Sequence, residues 1–243
     1  MNMELIYPET LDISVIMPCL NEENTIGMCI DNALSYIAEH HLKGEVLIVD
    51  NGSTDASSSV AKEHGAEVIS KSRKGYGIAL RTGISHARGR VIVYGDSDTT
   101  YDFLHMDGLV RPLMDGSCDM ACGNRFAGGI EKGAMPFLHR IGVPFLSVCA
   151  NLRYGTKIHD YHCGLRGLTR ETAEKLTLVT EGMEFATEII AQAAMLGLNI
   201  LEVPVPLYCP DIPRKTHLRT FYDGLRHLAL ILKKTPSKPQ KKT

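Results

Sequence analysis

The chain has 243 residues, 44% of them hydrophobic and 22% charged, which is enough apolar material for one sizeable core and excludes a disordered tail. Lysine plus arginine number 26 against 28 acids, a net charge of −2; a dedicated nucleic-acid binder would carry a marked basic excess, so that class is excluded. The seven cysteines are odd in number and scattered. Their one close pair, Cys118 and Cys122, has no His or Cys beside it at zinc-ligand spacing, which points to reduced structural thiols in the cytoplasm.

No signal peptide is expected, because Met1 to Leu11 carries Glu4, Pro8 and Glu9. Residues 13–17 read as a short apolar strand, and 21–39 as a helix with Ile26, Ile30, Ala33, Leu34 and Ile37 at helical spacing. Residues 46–49 form a second strand without alternation, as expected of one buried on both faces of a parallel sheet. A helix over 54–63 follows, closed by Gly65, a natural left-handed C-terminal residue. Then come a weak strand at 68–69, a helix over 77–87 and a third strong strand over 91–94. This alternation predicts an α/β fold with right-handed crossovers and an open, mostly parallel, Rossmann-like sheet, with ligands at the carboxyl ends of the strands.

The second half is less regular. Residues 123–136 are Gly-rich and read as a loop; 137–154 are apolar on most sides, with Pro144 expected to kink them. Within that stretch the uncharged run 141–152 is too short to cross a bilayer, which takes about 20 apolar residues. Residues 184–196 read as a helix, 200–207 as a strand interrupted by Pro204 and Pro206, and 216–234 as an amphipathic helix. The tail from Lys233 holds five lysines and no acid. The expected division is a domain over 1–210, with a C-terminal helix and disordered Lys-rich tail over 211–243.

Three acidic clusters fall just after the three strongest strands: Pro18-Cys-Leu-Asn-Glu22, Asp50-Asn-Gly-Ser-Thr-Asp55 and Asp96-Ser-Asp98. Carboxylates gathered at consecutive strand ends repel one another and require a cation or hydrogen-bond donors. An Asp-x-Asp pair offers hard oxygen ligands suited to Mg2+ or Mn2+ on a diphosphate. Taken singly, Asp50-Asn-Gly-Ser also reads as a turn and helix cap, Asp96-Ser-Asp98 as a turn, and Glu22 as a solvated acid at a helix start.

These clusters, with Lys74-Gly-Tyr-Gly77, resemble the family-2 inverting glycosyltransferases of GT-A fold. The segments Gly123-Asn-Arg-Phe126, His139-Arg140, Asp160-x-x-Cys163-Gly-Leu-Arg166, Met183-Glu-Phe-Ala-Thr-Glu188 and His217-Leu-Arg219 look most like its polyprenyl-phosphate hexosyltransferase branch. The resemblance runs from Ile13 to about Leu232. It implies that Pro18, Glu22 and Asp50 line the base and ribose pocket of a UDP- or GDP-linked sugar, and that Asp96 and Asp98 hold the metal. Lys74 is either a further donor-side cation or a solvated lysine.

The same resemblance implies an acceptor side built from Arg125, His139, Arg140, Arg166, Arg214, His217 and Arg219, with Arg125 and Arg166 foremost. A lipid phosphate, ionised near neutral pH, attacks without a strong base. An alcohol acceptor would need one, for which Asp160 or Glu184 are the candidates. The sequence departs from the family pattern at Asn51, where a second acid is usual, and in the stretch from Arg214 to His217; the donor base and sugar stay open. With no membrane span expected, the amphipathic helix either packs on its own domain or, with the Lys tail, contacts the cytoplasmic membrane face peripherally. A soluble alcohol acceptor is the alternative within the same chemistry. A sugar nucleotidyltransferase and a catalytically dead sugar-nucleotide binder are remoter readings.

Overall fold

The computed structural model describes residues 11–210 and 220–233. Its first half alternates strand and helix as β1 (Leu11–Cys19), α1 (Ile26–Glu39), β2 (Gly44–Asp50), α2 (Ser57–Glu63), β3 (Glu67–Ser70), α3 (Tyr76–His86) and β4 (Gly89–Tyr94). There follow α4 (Asp107–Met114), β5 (Met120–Asn124), α5 (Arg125–Gly128), α6 (Phe137–Tyr154), β6 (Arg166–Thr169) and α7 (Arg170–Lys175). The last elements are α8 (Phe185–Met195), β7 (Ile200–Pro204) and α9 (Thr220–Leu232). Residues 216–219 of the expected last helix lie outside the described residues, as do Arg214, His217 and Arg219.

The seven strands form one sheet in the order β3-β2-β1-β4-β6-β5-β7. All neighbours are parallel except at β6, which runs against both β4 and β5. The order reverses between β1 and β4, the switch point at which ligands of open α/β sheets bind. Register brings Cys19 opposite Asp50, so β1 and β2 end level, and Ile16 opposite Tyr94, so β4 ends three residues earlier and its following turn runs beside the end of β1.

The sheet is apolar on both faces. Val15, Met17, Val46, Ile48, Val91 and Val93 pack on one side, and Ile16, Leu47, Val49, Ile92 and Tyr94 on the other. Such two-sided burial explains why these strands show no alternation in sequence. Gly65 takes φ 87° as expected of a helix terminator. None of the seven cysteines forms a disulfide.

Two helices start later than their apolar spacing suggests. Asn21 takes φ 59° and Glu22 to Thr25 forms a turn, so α1 begins at Ile26. The Asp55 carboxylate accepts from the Ser57 N–H and hydroxyl, so α2 begins there. The sheet also holds β5 and β6, which fell within stretches that gave no strand signal. β6 is four residues long and opens on an arginine. α6 runs through Pro144 to Tyr154, although the missing N–H leaves the Arg140 carbonyl without its usual partner. Among the described residues, no helix is long and apolar enough to cross a membrane.

Candidate active site

The first and third acidic clusters meet in one cavity of about 600 Å3 at the switch point. Its walls are Pro18 to Leu20 and Glu22 at and just after the end of β1, Asn51 after β2, Lys74 to Tyr76 and Ala79 around the start of α3, and Asp96 to Asp98 after β4. Gly182 and Met183 close one side, and Tyr222, Asp223 and Arg226 of α9 another. A smaller cavity of about 380 Å3, lined by Arg90, Leu113, Thr169 and Arg170 among others, lies at the opposite end of β4, away from these acids.

The turn that carries Asp96 and Asp98 is fixed from several directions. The Ser97 hydroxyl donates to the Pro18 carbonyl at 2.9 Å, and the Thr25 hydroxyl donates to the Ser97 carbonyl at 2.9 Å. Asp98 is buried, its Oδ1 accepting from the Thr100 N–H and hydroxyl. Thr99 takes φ 63°, a left-handed conformation that costs a β-branched residue about 1–3 kcal/mol. The Tyr76 hydroxyl donates to Asp96 Oδ1 at 3.1 Å; burial, and then the Asp96 charge, push that phenol well above its ordinary range.

A second device holds the 71–77 segment over the cavity. Asn51 donates from Nδ2 to the Lys71 and Arg73 carbonyls at 3.2 and 2.7 Å, while its Oδ1 accepts from the Gly75 N–H at 2.7 Å. An aspartate could accept but not donate, so the departure from the usual acid here has a physical function. From the other side the Gly77 and Ile78 N–H groups donate to the Glu181 carbonyl. Glu188 in turn anchors that strap by accepting from Val179 and Thr180. The packing is tight: a Cβ at Gly75 would sit 2.3 Å from the Glu181 carbonyl oxygen, and one at Gly77 2.5 Å from that of Thr180.

Asp50 is not among the cavity walls. Its Oδ1 accepts from the Ser53 N–H and its Oδ2 from the Ser58 hydroxyl, both at 2.9 Å, so its carboxylate holds the turn that carries Asn51. This is the turn-and-cap arrangement read from Asp50-Asn-Gly-Ser alone. Pro18, Glu22, Lys74, Asp96 and Asp98 do line the cavity.

Arg125 and Arg166, expected foremost on the acceptor side, are not among the cavity walls. Arg125 makes a bidentate pair with the fully buried Asp160, at 2.7 and 2.8 Å. Arg166 is fully buried and donates to three carbonyls, those of Cys163, Ala186 and Tyr161. Burial works against both charges, yet both guanidiniums are held above their ordinary range, Arg125 chiefly by Tyr101 and Asp160, and Arg166 by Tyr94 and Cys122. They brace the 160–166 loop beneath the site and do not line it. His139 and Arg140, on the first turn of α6, also lie off the cavity walls. His139 is half-buried, and burial with the nearby Arg125 charge lowers its pKa.

Arg226 lines the cavity; Arg226-His227 belongs to the motifs that carry the resemblance, but sequence reasoning assigned Arg226 no role in the site. It pairs with Glu184 at 2.5 Å and lies over the Tyr222 ring, 5.7 Å from its centroid. Both suggested general bases are engaged: Asp160 is committed to Arg125, and Glu184 to Arg226, with its second oxygen buried and without a hydrogen-bond partner. Next to Arg226, His227 is buried against α8, its Nδ1 2.8 Å from the Thr187 hydroxyl and its ring edge-on to His162. Burial lowers both imidazoles, His227 to about 4 and His162 well below its ordinary value.

The residues present fit a hard divalent cation. Asp96 and Asp98 supply carboxylate oxygens from one turn, and among the described residues no cluster of three or more His, Cys, Asp or Glu forms an all-protein cage. A cation so held completes its shell with water and phosphate oxygens, the usual habit of Mg2+.

Comparison with known proteins agrees with this geometry. A sequence profile described as Glycosyl transferase family 2 matches residues 14–177. The low-salt glycan biosynthesis hexosyltransferase Agl6 of Haloferax volcanii is 38% identical over 227 residues, covering 92% of this chain and 54% of that protein; the chain thus spans about half the length of this relative. The dolichyl-phosphate hexose transferase of the same organism is 32% identical over 195 residues, covering 80% of this chain and 82% of that one. Glucosyl-3-phosphoglycerate synthase from Mycobacterium tuberculosis, solved with Mn2+, UDP-glucose and phosphoglyceric acid, superposes with a TM-score of 0.71 at 23% identity, covering 91% of this chain and 78% of that one. At that identity the likeness establishes a shared GT-A fold.

Proposed function

The chain belongs to glycosyl transferase family 2, and from that premise we propose that it transfers a hexose, with inversion, from a nucleoside-diphosphate sugar to a polyprenyl phosphate. The observation that carries the reading is a single cavity holding Asp96 and Asp98 on one wall and Lys74 and Arg226 on others. A diphosphate and an incoming phosphate are both polyanions, and a site for both needs cationic partners as well as metal ligands. The names of the Haloferax relatives support a hexose as the group moved and a dolichyl phosphate as acceptor.

In this reading Pro18 and Glu22 flank the base and ribose, while Asp50 holds the turn beneath them. Asp96 and Asp98 would hold Mg2+ or Mn2+, which when bound supplies Lewis-acid neutralisation of the charge developing on the diphosphate. Tyr76 fixes the Asp96 carboxylate by its hydrogen bond. Lys74 on the 71–77 segment faces the donor phosphates, and Asn51 keeps that segment closed. Arg226, itself held by Glu184, orients the acceptor phosphate for attack on the anomeric carbon. A phosphate monoester is already ionised near neutral pH, so no general base is required, in keeping with the engagement of Asp160 and Glu184. His139 and Arg140 lie along the path by which a lipid phosphate would approach over α6.

The test is transfer of labelled hexose from UDP-glucose and GDP-mannose to a short polyprenyl phosphate in detergent, with Mn2+ or Mg2+ and with EDTA. Inverted product that disappears with EDTA is expected. Transfer to a soluble alcohol but not to the lipid phosphate would overturn the acceptor assignment.

A further inference from the structure

Two segments that carry the resemblance, Met183 to Glu188 at the start of α8 and Arg226-His227 in α9, meet beside the cavity. Glu184 and Thr187 stand one helical turn apart. Glu184 holds Arg226 at 2.5 Å, and the Thr187 hydroxyl lies 2.8 Å from Nδ1 of His227, the next residue along α9. Consecutive residues of a helix point about 100° apart around its axis. One contact alone would let α9 roll, whereas two neighbours caught by a single turn of α8 fix both its roll and its height.

Little else in α9 does so. Phe221, Tyr222, Leu225 and Leu232 are each more than half exposed, and among the described side chains of this helix His227 and Ile231 are the buried ones. Thr187 is fully buried, so its contact with His227 is shielded from competing water. The His162 ring backs the pair, edge-on to His227 with centroids 4.3 Å apart and Nε2 3.5 Å from the same hydroxyl. Gly182 leaves the guanidinium its place: a Cβ there would sit 2.8 Å from both Arg226 Nη1 and Glu184 Oε2. Both atoms end flexible side chains, so a methyl group at 182 displaces the guanidinium without disturbing backbone.

We propose that Thr187 and His227, neither of which lines the cavity, are positioning residues for Arg226. Their buried contact sets the rotation of α9, and with it where the guanidinium stands among the cavity walls. The inference rests on the acceptor assignment only for which substrate feels a displaced Arg226; the displacement itself is independent of it.

The test compares Thr187→Val, which keeps the shape and removes the hydroxyl, with Thr187→Ser, which keeps the hydroxyl. With no substrate present, phenylglyoxal labelling of Arg226, 37% exposed, is read by peptide mass spectrometry against that of Arg90, 63% exposed at the opposite end of β4. Labelling of Arg226 should rise about fivefold in Thr187→Val, the size of one lost hydrogen bond, and return to the parent's rate in Thr187→Ser. His227→Phe keeps a ring, loses Nδ1 and should reproduce the rise from the other partner, so the test does not depend on one variant folding. Gly182→Ala, which moves the guanidinium directly, sets the scale of a full displacement. In transfer to polyprenyl phosphate, acceptor KM should rise about fivefold in Thr187→Val and His227→Phe while binding of UDP with Mn2+ stays within about twofold. The parent's labelling rate in both variants would overturn the proposal. So would Thr187→Ser behaving like Thr187→Val, or UDP binding weakening as much as the acceptor, the mark of general loosening. A parent inactive toward polyprenyl phosphate whose Arg226 still responds to these variants would sink the acceptor assignment and leave the positioning roles standing.

Discussion

Replacing Asn51 by aspartate exchanges one amide group for a carboxylate and tests how the 71–77 segment is held. The amide donates to the Lys71 and Arg73 carbonyls and accepts from Gly75. The carboxylate keeps only the last of these bonds and turns a negative oxygen toward two carbonyls. Each lost bond is worth about 1 kcal/mol net, and the largely buried charge adds about 1–3 kcal/mol. The total, about 3–5 kcal/mol, falls on closure of the segment first and on global stability where the two are coupled. Thermal unfolding should fall by about 6–20 °C if all of it is felt globally, at about 2–4 °C per kcal/mol for a chain of this size. Donor KM should rise, with a smaller change in kcat, because Lys74 loses its position while Asp96 and Asp98 keep theirs. The sign of the pH effect follows from burial, which raises the pKa of the introduced carboxyl above its unfolded value. The protonated acid can donate again, so the deficit shrinks as pH falls and is fully present above that raised pKa. Asn51→Ala removes all three bonds without adding a charge and should show no such pH dependence. A melt and donor KM equal to the parent's in Asn51→Asp would refute the reasoning.

Asp98→Asn should lower transfer by about 10²–10³-fold while leaving the melt within a few degrees, and should shift the Mn2+ dependence of turnover to higher concentration. Arg125→Ala leaves a fully buried Asp160 carboxylate unpaired, so denaturant unfolding should show a loss of about 3–5 kcal/mol, a stability defect rather than a selective loss of turnover. Below about pH 6.5 the unfolded chain takes up protons that the buried His227 refuses until about 4. Stability should therefore be full above about pH 6.5 and decline between there and about 4, by up to about 3 kcal/mol. His227→Gln should flatten that slope in acid melts, and an unaltered slope would count against it.

The βαβ half of the molecule was legible because strands buried on both faces announce themselves as unbroken runs such as Val46 to Val49. The reversal at β6 was not, since Arg-Gly-Leu-Thr carries no apolar period and its register is set by β4 and β5. The cavity-lining acids Glu22, Asp96 and Asp98 were readable from their place after strands. The turn-holding part of Asp50 was one of two readings open in sequence, because a carboxylate after a strand serves equally as a cap, and Ser53 and Ser58 supply the cap partners. Arg125 and Arg166 show the limit of assigning cations by motif. A guanidinium can serve an anion or a set of carbonyls, and the sequence does not say which. Arg226, though part of the motif that carried the resemblance, was given no role because its value lies in tertiary position, on a helix far along the chain from the acids.

One wall of the cavity comes from α9, the described helix that leaves the ribosome last. A nascent chain that has emerged only as far as β7 already owns the sheet and both acid turns, yet lacks Tyr222, Asp223 and Arg226. In the proposed reading, the group that orients the acceptor phosphate thus arrives late in synthesis, after the turns that carry Asp96 and Asp98.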